Sequence, residues 1–170
     1  NLEDAIDILR KTGIAKARKK SDRSAKEGLV FPYIHPGSKL GVLLEINCET
    51  DFVANTDDFK DLCKDISMHI AASAPMSVTR EEISSDVLDR EKAIYADQAR
   101  QSGKPENIIE KMTEGRLNKF YQENVLIEQS FVKDPDKTVN DLITETVAKL
   151  GENIIISRFS RFQLGEKVNN

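Results

Sequence analysis

The chain carries few residue pairs of the kind that enzymes use for acid–base or nucleophilic chemistry. It has two histidines, His35 and His69, and neither has a nearby partner pattern. His69 lies among apolar residues at helical spacing, so we predict a structural role for it. A small enzyme acting through Glu49, Asp51 and His35 would need these groups to converge in a cleft. The sequence gives no sign of such an acid–base pair, and no enzyme activity is predicted.

Metal and nucleotide sites also lack their sequence signals. The two cysteines, Cys48 and Cys63, have neither the C-x-x-C nor the histidine spacing of a zinc site. The chain contains no G-x-x-x-x-G-K, no G-x-G-x-x-G after a strand and no G-x-S-x-G. It therefore offers no phosphate-binding loop and no prepared nucleophile, and we predict that it binds no cofactor, no nucleotide and no metal.

Length and composition are those of a folded, helix-rich protein. The 170 residues include 39% hydrophobic and 32% charged residues, enough to bury a core. No apolar run approaches the ~18 to 20 residues that span a bilayer, and no secretory leader opens the sequence. Two cysteines are too few to stabilise a domain of this size as disulfides. We therefore expect an intracellular soluble protein with reduced thiols.

Charge is unevenly distributed along the chain. The net charge is −4, yet eight Lys or Arg stand against two acidic residues between Arg10 and Glu27. Nucleic-acid-binding proteins usually carry a more extended basic face than this. An RNA- or ribosome-associated module using the basic 10–26 segment is nevertheless kept as the alternative function.

The N-terminal region is predicted to be helical and only partly folded by itself. Leu2, Ile6 and Leu9 recur at helical spacing, and Gly13 is a natural helix stop. The polar stretch 14–28 ends at Gly28 and predicts a separate, solvated linker helix. We place a domain boundary near residue 28, with a core over 29–170.

An antiparallel sheet is predicted at the start of this core. Residues 29–35 and 39–47 read as two strands joined at Pro36-Gly37-Ser38, and Pro32 puts the first strand at an edge. The closing stretch 152–164 is β-branched and aromatic, with apolar residues on both faces. It predicts a strand whose two faces are both partly covered, or a strand that carries a bulge.

Helices are predicted to pack on the sheet and to form a hairpin. Phe59, Leu62, Cys63, Ile66 and Ile70 follow one helix face from Asp57. Residues 85–101 and 106–122 predict two antiparallel helices, and 138–151 predicts a capped helix that begins at Thr138 and ends at Gly151. The fold class is therefore α+β: an antiparallel sheet of about three strands with helices on it, a protruding helical hairpin and a helical N-terminal remnant.

The stretch N-C-E-T-D-F-V-A-N at 47–55 is unusual for the end of a strand. A strand with one apolar face runs into Glu49, Thr50 and Asp51, and the large ring of Phe52 follows. Phe52 either turns back under the next helix or is held out as an aromatic contact for a partner. Periodicity does not decide between these readings.

The segment C-E-T-D-F-V-A at 48–54 resembles the signature of the elongation factor Ts family, the guanine nucleotide exchange factors for elongation factor Tu. Further segments are similar to that family in order and spacing, and the resemblance covers essentially the whole chain. They are L-R-K-T-G-I-A-K-A-R-K-K at 9–20, Y-I-H at 33–35, G-V-L-L-E-I-N at 41–47, E-G-R-L-N-K-F at 114–120, L-I-E-Q-S-F-V-K-D at 126–134 and G-E-N-I-I-I-S-R-F at 151–159.

The sequence departs from the family pattern in three ways. The opening T-G-A-G-M-M-D-C-K-K-A-L-type segment does not appear, so we expect residues 1–28 to be the end of a UBA-like helical module plus its linker. No long insertion precedes the last helix, as in the short form of the family, which often pairs through its core sheet. Ser160 stands where some short relatives have a cysteine, which argues against a disulfide-linked dimer.

The resemblance implies a role for the 50–54 segment. Asp51 and Phe52 would insert beside the magnesium and phosphate site of elongation factor Tu and promote GDP release, with Thr50, Val53 and Ala54 shaping the turn. Magnesium would belong to the partner. The resemblance also implies a bacterial cytoplasmic protein, with a plastid or the mitochondrial matrix as the alternative, and a possible homodimer.

Overall fold

The computed structural model describes residues 1–167, which divide into two compact units. The first unit comprises Asn1–Ala74 and the chain from Phe131 onward, and the second comprises Pro75–Ser130. The α+β class predicted from the sequence is confirmed. In chain order the elements are α1 (Leu2–Arg18), β1 (Glu27–Ile34), β2 (Leu40–Cys48), α2 (Asp51–Ala54), α3 (Asp57–Ser73), α4 (Ser85–Gln101), α5 (Glu106–Asn124), β3 (Ser130–Phe131), β4 (Asp134–Thr138), α6 (Val139–Leu150) and β5 (Ile155–Gln163).

A three-stranded antiparallel sheet in the order β1-β2-β5 organises the first unit. Val42, Leu44 and Ile46 alternate along β2 onto one buried face because successive strand side chains point to opposite faces. Helix α3 packs across β2 and β1 and contributes the predicted buried stripe. That stripe consists of Phe59, Leu62, Cys63, Ile66 and Ile70.

The predicted hairpin and edge strand are both confirmed. Strands β1 and β2 meet at the 35–39 turn, where Gly37 has φ +94° and Ser38 has φ +56°. A positive φ costs glycine little because it has no Cβ. Pro32 lies in β1, whose outer side has no strand partner among the described residues, so its missing N–H leaves no ladder hydrogen bond unmade.

Strand β5 contains the bulge that its mixed apolar pattern suggested. Glu45 pairs with Arg158 and Ile46 pairs with Ile156, so Ser157 is an extra residue in the β5 ladder. The extra residue shifts the side-chain alternation by one position. Apolar residues at even and at odd positions, such as Ile156 and Phe159, can therefore lie on the same face of the strand.

The prediction that a first helix ends at Gly13 and that a second helix covers 14–28 is wrong. Helix α1 runs without a break from Leu2 to Arg18, residues 19–26 are not helical, and β1 begins at Glu27. Gly13 lies at a close crossing with α6, where a Cβ would sit 3.6 Å from the Cβ of Ala148. That separation is an ordinary van der Waals contact, so an alanine would also fit, and Gly13 lies in the interior of α1 without terminating it. The domain boundary near residue 28 stays a prediction.

Helix α6 begins and ends as its sequence predicted. Thr138 and Asp141 form a reciprocal capping box, and Gly151 follows the helix with φ +79°. The box satisfies two backbone N–H groups that have no intrahelical acceptor. The box therefore fixes the start of α6, while Gly151 marks its end shortly before β5.

The second unit is the predicted helical hairpin with its own small core. Helices α4 and α5 pack against each other, and Ile83, Phe120 and Val125 are buried together. The Arg80 guanidinium lies over the Tyr121 ring, 4.2 Å from its centroid, and ion-pairs with Glu128. None of the described helices is long and apolar enough to cross a membrane.

Candidate functional site

Phe52 is held out into solvent. Its side chain is 82% exposed, the largest exposed fraction among the bulky apolar residues of the described chain. Asp51, the preceding residue, is exposed as well. The reading in which Phe52 packs beneath the following helix is therefore excluded by this structure.

The 50–54 segment has a defined backbone because polar side chains cap it on both sides. Thr50 is the N-cap of α2, and its Oγ1 accepts a hydrogen bond from the Val53 N–H at 3.3 Å. Asn55 donates from Nδ2 to the Asp51 carbonyl at 2.9 Å. Thr56 then caps α3 by accepting from the Phe59 N–H at 3.2 Å.

The underside of α2 is fixed by burial. Ala54 is 3% exposed, Val53 is half-buried, and the Cys48 thiol donates to the Thr50 carbonyl at 3.1 Å. Helix α2 also contacts both β1 and β2. A ring and a carboxylate are thus presented on a single helical turn that is seated on the sheet.

Glu152 is the residue of this site that the sequence did not reveal. Its Oε1 accepts from the backbone N–H groups of Glu49 at 3.1 Å and Thr50 at 2.9 Å, and its Oε2 accepts from the Thr50 hydroxyl at 2.7 Å. A carboxylate that accepts several hydrogen bonds makes stronger contacts than a neutral acceptor does. The only sequence signal was its place in the G-E-N segment, which says nothing about its contacts.

Glu49 and Asn153 link the same two chain segments in the opposite direction, because here the carboxylate belongs to Glu49 and the backbone N–H to Asn153. The Glu49 Oε1 accepts from the Asn153 N–H at 2.8 Å and lies 3.6 Å from the Arg23 guanidinium. The Asn153 side chain donates to the carbonyls of Ser21 at 3.2 Å and Arg23 at 2.8 Å. The 19–26 connector, the approach to α2 and the start of β5 therefore meet in one hydrogen-bonded cluster.

The two cysteines lie close beneath this region and are not poised for chemistry. Both are free and fully buried. Burial raises the pKa of the Cys48 thiol to about 11 and that of Cys63 to about 12. Neutral, inaccessible thiols are poor nucleophiles, and the described residues contain no group of three or more His, Cys, Asp or Glu that could hold a metal ion.

The other candidate groups are not brought together. His69 is buried, accepts from the Val132 N–H at 3.2 Å and lies near the Phe131 ring, as expected for a structural histidine. His35 pairs with Leu40 at one end of β2, whereas Glu49 follows the other end. Strand residues rise ~3.3 Å each, so His35 and Glu49 do not share a cleft.

The basic 10–26 segment covers the second half of α1 and the connector. Two of its cations are directed to acidic groups of the same unit, since Arg10 lies 3.5 Å from Asp141 and Arg23 lies 3.6 Å from Glu49. These two side chains form intramolecular contacts. Part of the positive charge of the segment therefore forms ion pairs within its own unit.

Comparison with known proteins identifies the family. The family model described as Elongation factor TS matches residues 12–166. The chain is 58% identical to Elongation factor Ts of Geobacter sulfurreducens, over 98% of this chain and 77% of that protein. It is 60% identical to that of Geotalea uraniireducens, over 96% and 76%, and 57% identical to that of Fervidobacterium nodosum, over 98% and 84%. The chain therefore belongs to the elongation factor Ts family of translation elongation factors.

Proposed function

We propose that this chain is a guanine nucleotide exchange factor that binds elongation factor Tu and accelerates the release of GDP. The observation that carries the proposal is the 82% exposure of Phe52 on a capped helical turn. A bulky ring that is mostly exposed to solvent, beside an exposed carboxylate, has the chemistry of an interface hot spot. Membership of the elongation factor Ts family supplies the partner.

The proposed mechanism is insertion of Asp51 and Phe52 beside the magnesium and phosphate site of the partner. Thr50 fixes the entry into the turn, while Val53 and Ala54 hold it on the sheet. Nucleotide and exchange factor then favour different conformations of the partner, so each weakens the binding of the other by the same factor. Magnesium and GDP belong to the partner, and this chain binds neither and acts as no enzyme.

The energetic demand on this segment is considerable. A ~10⁴-fold acceleration of GDP release corresponds to about 5.5 kcal/mol of barrier lowering. Burial of a phenylalanine side chain contributes roughly 1.5 to 3 kcal/mol. Asp51 and the wider interface would supply the rest.

Replacement of Phe52 by alanine tests this mechanism. The ring makes little contact with its own protein, so Phe52→Ala should fold normally, with a melting temperature within about 2 °C of the unmodified chain. Release of a fluorescent GDP analogue from elongation factor Tu, followed by stopped flow, should slow by at least tenfold. Leu164→Ala is the matched control, because Leu164 is 74% exposed and its N–H bonds to Lys39 beside the hairpin turn, at the other end of β2. A normal exchange rate with folded Phe52→Ala would refute the mechanism.

The proposal extends to a homodimer that forms through the open face of the sheet. Val30 is 63% exposed and Leu43 is 49% exposed on this face, and Arg158 donates to Glu45 at 2.7 Å beside them. An apolar face with an internally neutralised charge pair suits a two-fold interface between identical surfaces. Leu43→Lys should convert a dimer into a monomer in sedimentation velocity. A monomeric unmodified chain at micromolar concentration would contradict the dimer.

The relatives named above are bacterial. We therefore place the protein in the bacterial cytoplasm as part of the same proposal. Detection of the protein with the soluble ribosomal and translation fraction of lysed cells would test this location.

The alternative function, RNA binding through the 10–26 segment, would be recognised by a steep dependence of RNA affinity on salt concentration.

A further inference from the structure

We infer that Glu152 is a positioning residue for nucleotide exchange, which acts by fixing the orientation of the 50–54 segment. This inference rests on the proposed function, since it assigns to Glu152 the placement of the residues that would enter the partner. Glu152 itself is half-buried at the end of α6 and is not part of the exposed tip. Its carboxylate contacts Glu49 and Thr50, the two residues that precede Asp51 and Phe52.

The contacts of Glu152 are those needed to fix the direction in which a turn leaves a strand. Strand β2 ends at Cys48 and α2 begins at Asp51, so Glu49 and Thr50 are the two residues whose backbone sets the angle between them. One carboxylate oxygen accepts from both of their N–H groups, and the other accepts from the Thr50 hydroxyl. Three hydrogen bonds to consecutive groups leave the turn little freedom to rotate.

The Thr50 hydroxyl links this carboxylate to α2. It donates to Glu152 Oε2 at 2.7 Å and accepts from the Val53 N–H at 3.3 Å. Because Phe52 lies between the cap and Val53, rotation of Thr50 would redirect the ring. Glu152 therefore determines the rotamer of the cap as well as the backbone of the entry.

Glu152 is held in turn by its neighbours along the chain. Gly151 ends α6 with φ +79°, and Asn153 is fixed on both sides by its bonds to Glu49 and to the connector. A carboxylate on such a support loses little freedom when it makes its bonds. Preorganisation of this kind matters because a misplacement of about 1 Å can cost as much as 10²-fold in rate.

Two variants of Glu152 separate positioning from general stability. In Glu152→Ala the N–H groups of Glu49 and Thr50 lose their acceptor, and the maximal rate of fluorescent GDP release at saturating exchange factor should fall by about tenfold. The half-saturating concentration should change less than the rate. In Glu152→Gln the amide oxygen can still accept both N–H groups, so the rate should stay within about threefold of the unmodified chain.

Asp141→Ala is the control for stability. Asp141 also accepts a backbone N–H through its carboxylate, but at the opposite end of α6. It should lower the melting temperature while leaving the exchange rate unchanged. Loss of exchange in proportion to the lowered melting temperature in both Asp141→Ala and Glu152→Ala would overturn the assignment.

A double-mutant cycle with Phe52 decides whether Glu152 acts through the ring. If it acts mainly through the ring, adding Glu152→Ala to Phe52→Ala should lower the rate by clearly less than the tenfold expected for Glu152→Ala alone, and the remaining loss reflects the displacement of Asp51. Fully additive losses would overturn the inference. Normal exchange by Phe52→Ala alone would refute the proposed function, whereas slow exchange by Phe52→Ala with normal exchange by Glu152→Ala would refute only the role of Glu152.

Amide hydrogen exchange in the free chain gives a readout that needs no partner. The Thr50 N–H should exchange at least tenfold faster in Glu152→Ala than in the unmodified chain, and Glu152→Gln should restore its protection. Should Glu152→Ala fail to fold, Glu152→Asp, which retracts the carboxylate by one methylene, takes its place with the same expectations. Unchanged protection of Thr50 in a folded variant would overturn the inference.

Discussion

Asn153 should control the accessibility of the connector to proteolysis. Its side chain is 5% exposed and donates to the carbonyls of Ser21 at 3.2 Å and Arg23 at 2.8 Å. The Arg23 carbonyl belongs to the peptide bond that trypsin cleaves after arginine. Asn153 therefore holds the carbonyl oxygen of the group whose carbon the protease attacks, and Asn153→Ala should free that group.

The size of the effect follows from what replaces the lost contacts. Each neutral hydrogen bond contributes about 1 kcal/mol, and a buried group left without a partner would cost more. Ser21 and Arg23 are exposed, so water can satisfy both carbonyls once Asn153 is truncated. We expect the free energy of local opening to fall by about 1–2 kcal/mol, which corresponds to a roughly 5- to 30-fold larger open population.

Limited trypsin digestion followed by intact-mass measurement would test this expectation. Cleavage tracks the open population when closing is faster than proteolysis, so the cut after Arg23 should be roughly 5- to 30-fold faster in Asn153→Ala. Asn124→Ala is the matched control, because Asn124 also donates from Nδ2 to a backbone carbonyl, that of Phe120 at 2.8 Å, in the second unit. An unchanged cleavage rate after Arg23 in Asn153→Ala would refute the assigned role of these two hydrogen bonds.

Two further predictions concern stability. Gly28→Ala should destabilise the chain by about 3 kcal/mol or more in urea unfolding, because Gly28 has φ +140° and a Cβ would collide with the Ile46 carbonyl oxygen. Gly37→Ala is the control: Gly37 has φ +94° with open space around it, so the substitution should cost only about 1 kcal/mol. Equal losses of stability in the two variants would contradict this reasoning. The raised pKa values of about 11 for Cys48 and about 12 for Cys63 mean that the unfolded chain loses its thiol protons first. The free energy of unfolding, measured with urea, should therefore decline as the pH rises from about 9 towards 12, and Cys63→Ala should reduce that decline; a pH-independent stability over this range would contradict the burial of the thiols.

Much of the fold follows from patterns that a few neighbouring residues determine. The alternation of Val42, Leu44 and Ile46 identified a buried strand face, and the spacing from Phe59 to Ile70 identified α3. The capping box at Thr138 was visible as a local motif. These features are local because side-chain periodicity and end capping depend on residues within one or two turns.

Gly13 shows where local rules fail. A glycine after a helical pattern is a common helix stop, yet α1 continues past it to Arg18 and packs along α6. A glycine in a helix interior costs only about 1 kcal/mol relative to alanine, so whether the helix continues depends on the contacts that a distant helix makes with it. No residue near Gly13 in the chain carries that information.

The candidate site also has one part that the sequence predicts and another that depends on the tertiary structure. The sequence by itself determined that an aromatic and a carboxylate follow a strand at residues 51 and 52, and its resemblance to a family gave them a proposed use. Only the tertiary structure decided that Phe52 points outward, since a period of alternation does not distinguish solvent from the underside of a helix. It alone also brought Glu152 to Thr50, 102 residues apart in the chain, because hydrogen bonds depend on distances in space that chain order does not specify.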